Sequence, residues 1–236
     1  MRFNWRILSL LLLMVPFADA LAQEHRQHTP GKANQHMHRR PVDDLIRDFE
    51  SPERDAYQKP EVVMAWLGEL HQKTVMDLGT GSGYFAVRLA AAGAKVIAAD
   101  VNDDFLDKLK QRINKLELED RISLRKLEYD SPQLSDGEVD MVFMVNVYHH
   151  IEDRIDYFTE VLNGIKPGGT LVVIDFYKRD LPVGPPPDHK VSLFETMTEL
   201  NEAGFKKFEL DIDEVIVGKG DYVVLLGNSG SGKMAR

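Results

Sequence analysis

Val75-Met76-Asp77-Leu78-Gly79-Thr80-Gly81-Ser82-Gly83-Tyr84-Phe85 is the stretch on which the fold turns. A short apolar run meets an acidic residue, glycines alternate at 79, 81 and 83, and a helical pattern starts at Tyr84. Glycines remove each Cβ where a strand passes into a helix, so backbone amides can approach a ligand closely and positive φ costs little. Such a turn suits an adenosine-type ligand lying across the strand ends of a parallel sheet.

Outward from this turn the chain alternates regularly. Thr74 to Leu78 reads as a strand and Tyr84 to Ala92 as a helix, with Phe85, Val87, Leu89 and Ala90 around its buried side. Lys95 to Ala99 is a second strand ending at Asp100, and Asp104 to Leu118 a helix carrying Phe105, Leu106, Leu109, Ile113 and Leu116 at helical spacing. Ile122 to Leu127 and Val139 to Val145 are further strands. Ile155 to Ile165 is a helix closed by Lys166-Pro167-Gly168-Gly169 as stop and turn, and Thr170 to Phe176 an almost wholly apolar central strand. After the proline-rich loop Leu181 to His189 come a helix, Leu193 to Ala203, and two strands, Phe205 to Val215 and Tyr222 to Leu226. Gly218-Lys219-Gly220-Asp221 joins those strands, a connection short enough to make them antiparallel. The expectation is an α/β, doubly wound, mostly parallel seven-stranded sheet with an antiparallel last strand.

Ahead of the first strand, Asp43 to Leu70 carries two helical patterns. One holds Leu45, Ile46 and Phe49; the other follows Pro60, with Arg54 to Lys59 between them. Residues 42–72 are expected to act as lid helices of a domain spanning 42–228. Arg2 and Arg6 precede the apolar run Ile7 to Phe17, followed by Ala20-Leu21-Ala22, the layout of a signal segment over 1–22 cleaved near Ala22. That layout predicts an exported, periplasmic protein with no membrane attachment after cleavage. A misassigned start, with a cytoplasmic protein, and an uncleaved anchor are the alternatives. Residues 23–41 form a polar leader with His25, His28, His36 and His38, read as solvated rather than metal-binding, and 229–236 a flexible tail. Gly227 to Met234 imitates a nucleotide-phosphate loop but has Met234 where magnesium binding needs Ser or Thr.

At 236 residues and 43% hydrophobic composition, the chain can bury one substantial core. A formal charge of −9 argues against a nucleic-acid partner, which needs clustered Lys and Arg. The absence of cysteine excludes disulfides, zinc-thiolate sites and thiol catalysis.

The glycine spacing separates two ligands. A dinucleotide fingerprint needs a third glycine at 84, where Tyr stands. Asp77 would repel a pyrophosphate but suits a ligand bearing an α-ammonium group. Asp100, closing the second strand, can accept both hydrogen bonds of a ribose diol. Asp130 follows the third strand, where its oxygen can accept from an adenine amino group beside the Ser131 amide.

Val75 to Gly83, Asp100, Tyr129-Asp130-Ser131, Val139-Asp140-Met141-Val142 and Leu162 through Leu171 resemble, in order and spacing, the successive motifs of class I S-adenosylmethionine-dependent methyltransferases. The resemblance spans roughly 55–226. It is nearest to small-molecule enzymes of the ubiquinone/menaquinone type and to uncharacterised exported bacterial methyltransferase-like proteins. It implies S-adenosylmethionine as cofactor, S-adenosylhomocysteine as product, no required metal and a small-molecule methyl acceptor. The implied cofactor-binding residues are Asp77, Gly79, Thr80, Gly81, Gly83, Asp100, Val101, Asp130, Ser131 and Asn146. In this fold the fourth strand's end borders the transferable methyl, which makes His149 or His150 a candidate general base. Asn146-Val147-Tyr148-His149 lacks the two prolines frequent in amino-group methyltransferases. Tyr57, Tyr148, Tyr177 and His189 are expected at the substrate mouth. Competing readings are a non-catalytic exported binding protein on the same scaffold and an NAD-dependent oxidoreductase.

Overall fold

The computed structural model describes residues 40–211 and 222–228. The expected signal segment 1–22, the leader up to residue 39, the tail 229–236 and the connection Gly218–Asp221 lie outside the described residues.

Strands β1 (Thr74–Leu78), β2 (Lys95–Asp100), β3 (Ile122–Lys126), β4 (Val139–Val145) and β5 (Ile165–Phe176) pair in parallel. β7 (Tyr222–Asn228) pairs antiparallel with both β5 and β6 (Lys207–Asp211), giving the order β3-β2-β1-β4-β5-β7-β6. The reversed last strand is therefore present, but inserted between β5 and β6, with β6 at the edge.

Side chains alternate across the strands. Val75, Val96, Phe143 and Val172 pack on one face with α3 (Pro60–Leu67), α4 (Tyr84–Ala91) and α5 (Asp103–Lys115). Met76, Ile97, Met144 and Val173 pack on the other with α6 (Arg154–Gly164) and α7 (Leu193–Glu202). The same period places Asp77 and Asp100, at the ends of β1 and β2, on the α4–α5 face.

Two local expectations are corrected. The segment read as a connector between two N-terminal helices contains a helix of its own. Between α1 (Val42–Phe49) and α3 lies α2 (Pro52–Gln58), capped by Ser51, whose Oγ accepts the Arg54 amide at 3.2 Å, with Pro52 in the first turn. Lys166–Gly169 is not a helix-terminating turn. α6 ends at Gly164, and β5 starts at Ile165. The ladder then jumps from Val139↔Ile165 to Met141↔Thr170, so the four residues swell out of the pairing. Lys166 Nζ holds the swelling to Asp140 Oδ2 at 2.8 Å.

Candidate active site

A cavity of about 640 Å³ opens at the carboxyl ends of the parallel strands. Its floor is Gly79–Gly81, Asp100–Asn102 and Val145–Val147; its far end is Phe176, Gly184–Pro186 and His189. Leu45, Phe49, Arg54 and Tyr57 from α1 and α2 roof it, and Phe105 and Tyr129 close one side. α3 contributes no lining; it packs Val63 and Leu67 into the core. The size and largely apolar walls fit a small-molecule site.

The turn after β1 is fastened to β2. The Gly79 and Thr80 amides donate to Ala99 O at 2.8 and 3.0 Å. The Gly81 amide donates to Asp100 Oδ2 at 2.8 Å, and the Asn102 amide to Asp100 Oδ1 at 2.9 Å. Burial pushes the Asp100 carboxyl upward, while the amides of Gly81, Asn102 and Val101 pull it back. Gly81 has φ +53°, and a Cβ there would meet the Phe49 ring at 3.4 Å, so the backbone lies directly under the roof.

Several expected site residues lie elsewhere. Gly83 is absent from the lining; its φ is +77° and an added Cβ would come 2.3 Å from Leu109 Cδ1, so its bareness serves packing between α4 and α5. Asp77 lies behind the turn, not on the cavity wall. Its Oδ2 accepts from Thr80 Oγ1 at 2.7 Å, and the Ala86 amide donates to it at the start of α4. A carboxylate there suits the positive end of a helix. Burial nevertheless raises it to about 6, with Thr80 and Arg54 opposing. Asp130 is exposed, and Ser131 Oγ donates to Glu160 Oε2 at 2.7 Å; the tight turn closed by Glu128 and Ser131 sends Tyr129 inward instead. Tyr148 is buried on the opposite face of the sheet, its hydroxyl donating to Glu199 Oε2 at 2.7 Å. Tyr177 does not line the cavity; its neighbour Phe176 does. Gly79, Thr80, Gly81, Asp100, Val101, Asn146, Tyr57, His149, His150 and His189 all border the cavity.

The two histidines differ in kind. His149 Nδ1 lies 2.9 Å from both carboxylate oxygens of Asp175, and its side chain is 4% exposed. The Asp175 carboxylate also accepts the amides of His149 at 3.3 Å and Phe176 at 2.7 Å. Burial pushes His150 down to about 3, with a further push from the adjacent His149. That shift favours the uncharged His150 ring at neutral pH and weakens it as a proton acceptor. Asp175 escaped the sequence reading. Its signal is an acidic residue within the apolar run Leu171-Val172-Val173-Ile174-Asp175-Phe176. Phe49 and Arg54 line the cavity from the segment expected as the lid, whereas Phe105 and Tyr129 carry no such expectation.

The roof is tied down by polar contacts. Glu50 Oε1 accepts from Ser82 Oγ and Arg112 at 2.5 Å each. The Tyr84 hydroxyl donates to Asp55, and the Arg54 guanidinium lies 4.2 Å from the Tyr84 ring centroid. Asn146, held at φ +59°, donates from Nδ2 to Gln58 Oε1 at 3.2 Å. Its Oδ1 is buried with no hydrogen-bond partner among the described residues. An orphaned acceptor on a cavity wall, beside a glycine turn open to a ligand backbone-on, fits a ligand carrying an N–H or O–H donor. Among the described residues, no group of three or more His, Asp or Glu is placed to hold a metal ion.

Residues 76–173 match the methyltransferase domain family. The chain is 33% identical over 112 residues to a tRNA U34 carboxymethyltransferase of Actinobacillus succinogenes, covering 47% of this chain and 35% of that protein. It is 26% identical over 145 residues to the 27-O-demethylrifamycin SV methyltransferase of Amycolatopsis mediterranei, covering 56% and 53%. The chain thus spans 35% and 53% of these curated relatives' lengths. A solved S-adenosylmethionine-dependent methyltransferase from Aquifex aeolicus superposes with TM-score 0.70 at 28% identity, over 78% of this chain and 97% of that one. Motif order, strand order and these likenesses agree: residues 76–173 match a methyltransferase domain, and the chain has the fold of the class I S-adenosylmethionine-dependent methyltransferases.

Proposed function

We propose that the protein transfers a methyl group from S-adenosylmethionine to a small molecule held under α1 and α2. The observation that carries this is the Asp100–Gly81 hydrogen bond on the wall of the large cavity. It fixes a carboxylate and a bare backbone turn side by side, the pair a ribose and its neighbouring chain require. Asp100, Asn102 and Tyr129 are assigned to the adenosine part, Thr80, Gly81 and Arg54 to the methionine part, and Asn146 to a donor near the reacting end. When bound, the cofactor supplies an activated methyl group, so the chain's own task is alignment and exclusion of water. The roofed cavity and the acidic surface support a small acceptor over the tRNA named for one relative.

Calorimetry tests the assignment. S-adenosylmethionine and S-adenosylhomocysteine are expected to bind and NAD(H) not to; Asp100→Ala is expected to weaken S-adenosylhomocysteine at least tenfold. Binding of NAD(H) alone would reverse the conclusion. The basic-then-apolar start supports an exported location. Fractionation with N-terminal sequencing is expected to find a mature chain starting near Gln23, and an intact cytoplasmic chain would refute export.

A further inference from the structure

Behind the far end of the large cavity lies a second, polar cavity of about 320 Å³. His149, His150 and His189 border both, so the two adjoin across these rings. We infer that the second cavity is a subsite for an anionic group of the methyl acceptor, an apolar carboxylate. Its acid end lies at Lys190 and Arg154, and its body runs past His189 into the large cavity. This names the acceptor class of the methyl-transfer reading and rests on that reading.

Three cations and three acids line the second cavity, and burial sorts them. Lys190 is 3% exposed. Its Nζ donates to Arg179 O at 2.8 Å and lies 5.5 Å from the centroid of Phe176, a ring that lines the large cavity. The ammonium is therefore placed where the two cavities meet. Arg154 is largely buried and held by Glu199, which is not part of the wall. The acids stand outward: the side chains of Asp188 and Glu195 are 77% and 49% exposed. Glu195 is also engaged, accepting the Ser192 amide at 2.8 Å and Lys178 Nζ at 3.2 Å. Glu152, partly buried, is the remaining acid against two inner cations. Arg154 and Glu195 belong to the first turns of α6 and α7, so the positive ends of two helices border the same cavity.

Burial strips an ammonium of water, so an anion that reaches it there gains more than it would at the surface. A carboxylate accepts from a lysine and from the planar arginine fork. With Glu152 also on the wall, a monoanion suits the subsite better than a phosphate dianion. Beyond the junction Val145, Phe176, Pro185 and Pro186 offer apolar walls, which suit an uncharged body.

The test uses the full chain, and S-adenosylhomocysteine binding is measured first. With it saturating, 2-naphthoate, the isosteric 2-naphthamide and 2-naphthyl phosphate are titrated by calorimetry. The acid should bind about tenfold or more tighter than the amide, the scale of a charge-assisted hydrogen bond, and the phosphate no tighter than the acid. Lys190→Gln should remove that preference while leaving amide and S-adenosylhomocysteine affinities within about threefold, and Lys190→Arg should keep it. Lys178→Met, at the rim, should leave the preference within about threefold. A crystal of the wild-type complex with 2-naphthoate should place the carboxylate against Lys190 Nζ, a readout that needs no variant. Equal affinity for acid and amide, binding of neither, tighter binding of the phosphate, equal loss of preference in Lys178→Met, or a carboxylate located elsewhere overturns the inference and leaves the cofactor reading standing. Failure of S-adenosylhomocysteine to bind overturns the cofactor reading itself.

Discussion

Asn146 Nδ2 donates to Gln58 Oε1 at 3.2 Å, a hydrogen bond that joins the end of β4 to the roof helix α2 across the cavity. Gln58 is 3% exposed although it lies in a short polar helix, so this contact is what its burial serves. The other ties of the roof are more exposed; the Asp43–Lys108 pair, for example, leaves its partners 70% and 45% accessible.

Gln58→Ala is expected to destabilise the protein by about 1 kcal/mol, the net worth of a buried amide hydrogen bond. Amide exchange in α1 and α2 should accelerate, and S-adenosylhomocysteine should dissociate faster. Lys108→Ala, removing an exposed ion pair, should change stability by less than about 0.5 kcal/mol. Equal effects from the two substitutions would show that the roof is held by surface charge.

Gly81 and Gly83 look alike in the sequence and differ in the fold. Gly83→Ala drives a Cβ to 2.3 Å from Leu109 Cδ1 at φ +77°, so stability should fall by about 2–3 kcal/mol, from overpacking plus left-handed strain. Leu109→Ala in the same chain should recover none of the strain but relieve the clash. Gly81→Ala carries the left-handed strain of φ +53°, about 1 kcal/mol, but meets only the Phe49 ring at 3.4 Å, so it should destabilise less than Gly83→Ala and in addition weaken cofactor affinity. Thermal melts and calorimetry on both variants separate the two roles.

The sheet was legible because its signals are local: apolar runs of strand length, helical spacing and a glycine turn each occupy a few consecutive residues. The site was legible where it follows from strand ends, as at Gly79–Gly81, Asp100 and Asn146. What the sequence hid depends on side-chain direction or on partners distant in the chain. Tyr129 and Asp130 are adjacent, and only the turn closed at Ser131 decides which faces inward. Asp175 becomes informative only when β5 pairs with β4 and brings it to His149, 26 residues away in the chain. The swelling at Lys166–Gly169 reads as a turn because Pro-Gly-Gly is turn chemistry; the ladder resumes beyond it.

Tyr148→Phe tests a residue that the sequence suggested for the substrate mouth. Its hydroxyl donates to Glu199, whose carboxylate also takes Arg154 through both Nε and a terminal nitrogen at 2.7 and 2.8 Å. Loss of the hydroxyl should cost about 1 kcal/mol of stability. Cofactor affinity and acceptor KM should not change, and a raised KM would return Tyr148 to the substrate site.

Asp77 gives a pH signature of opposite sign to that of most carboxylates. Its folded-state value rises from 3.8 to about 6 because burial outweighs the Thr80 and Ala86 hydrogen bonds. The folded state therefore binds the proton more tightly than the unfolded chain. The associated stability is fully present below about pH 4 and is lost as pH rises through 6, a change of about 3 kcal/mol for a shift of this size. Asp77→Asn has no such titration and keeps one carbonyl oxygen for Thr80 Oγ1. The stability of the variant minus that of the wild type should accordingly increase by roughly 2–3 kcal/mol between pH 4 and pH 7. Urea unfolding of both proteins across that range measures the difference directly, with every other group cancelling. A flat difference would mean that water reaches the carboxylate behind the turn.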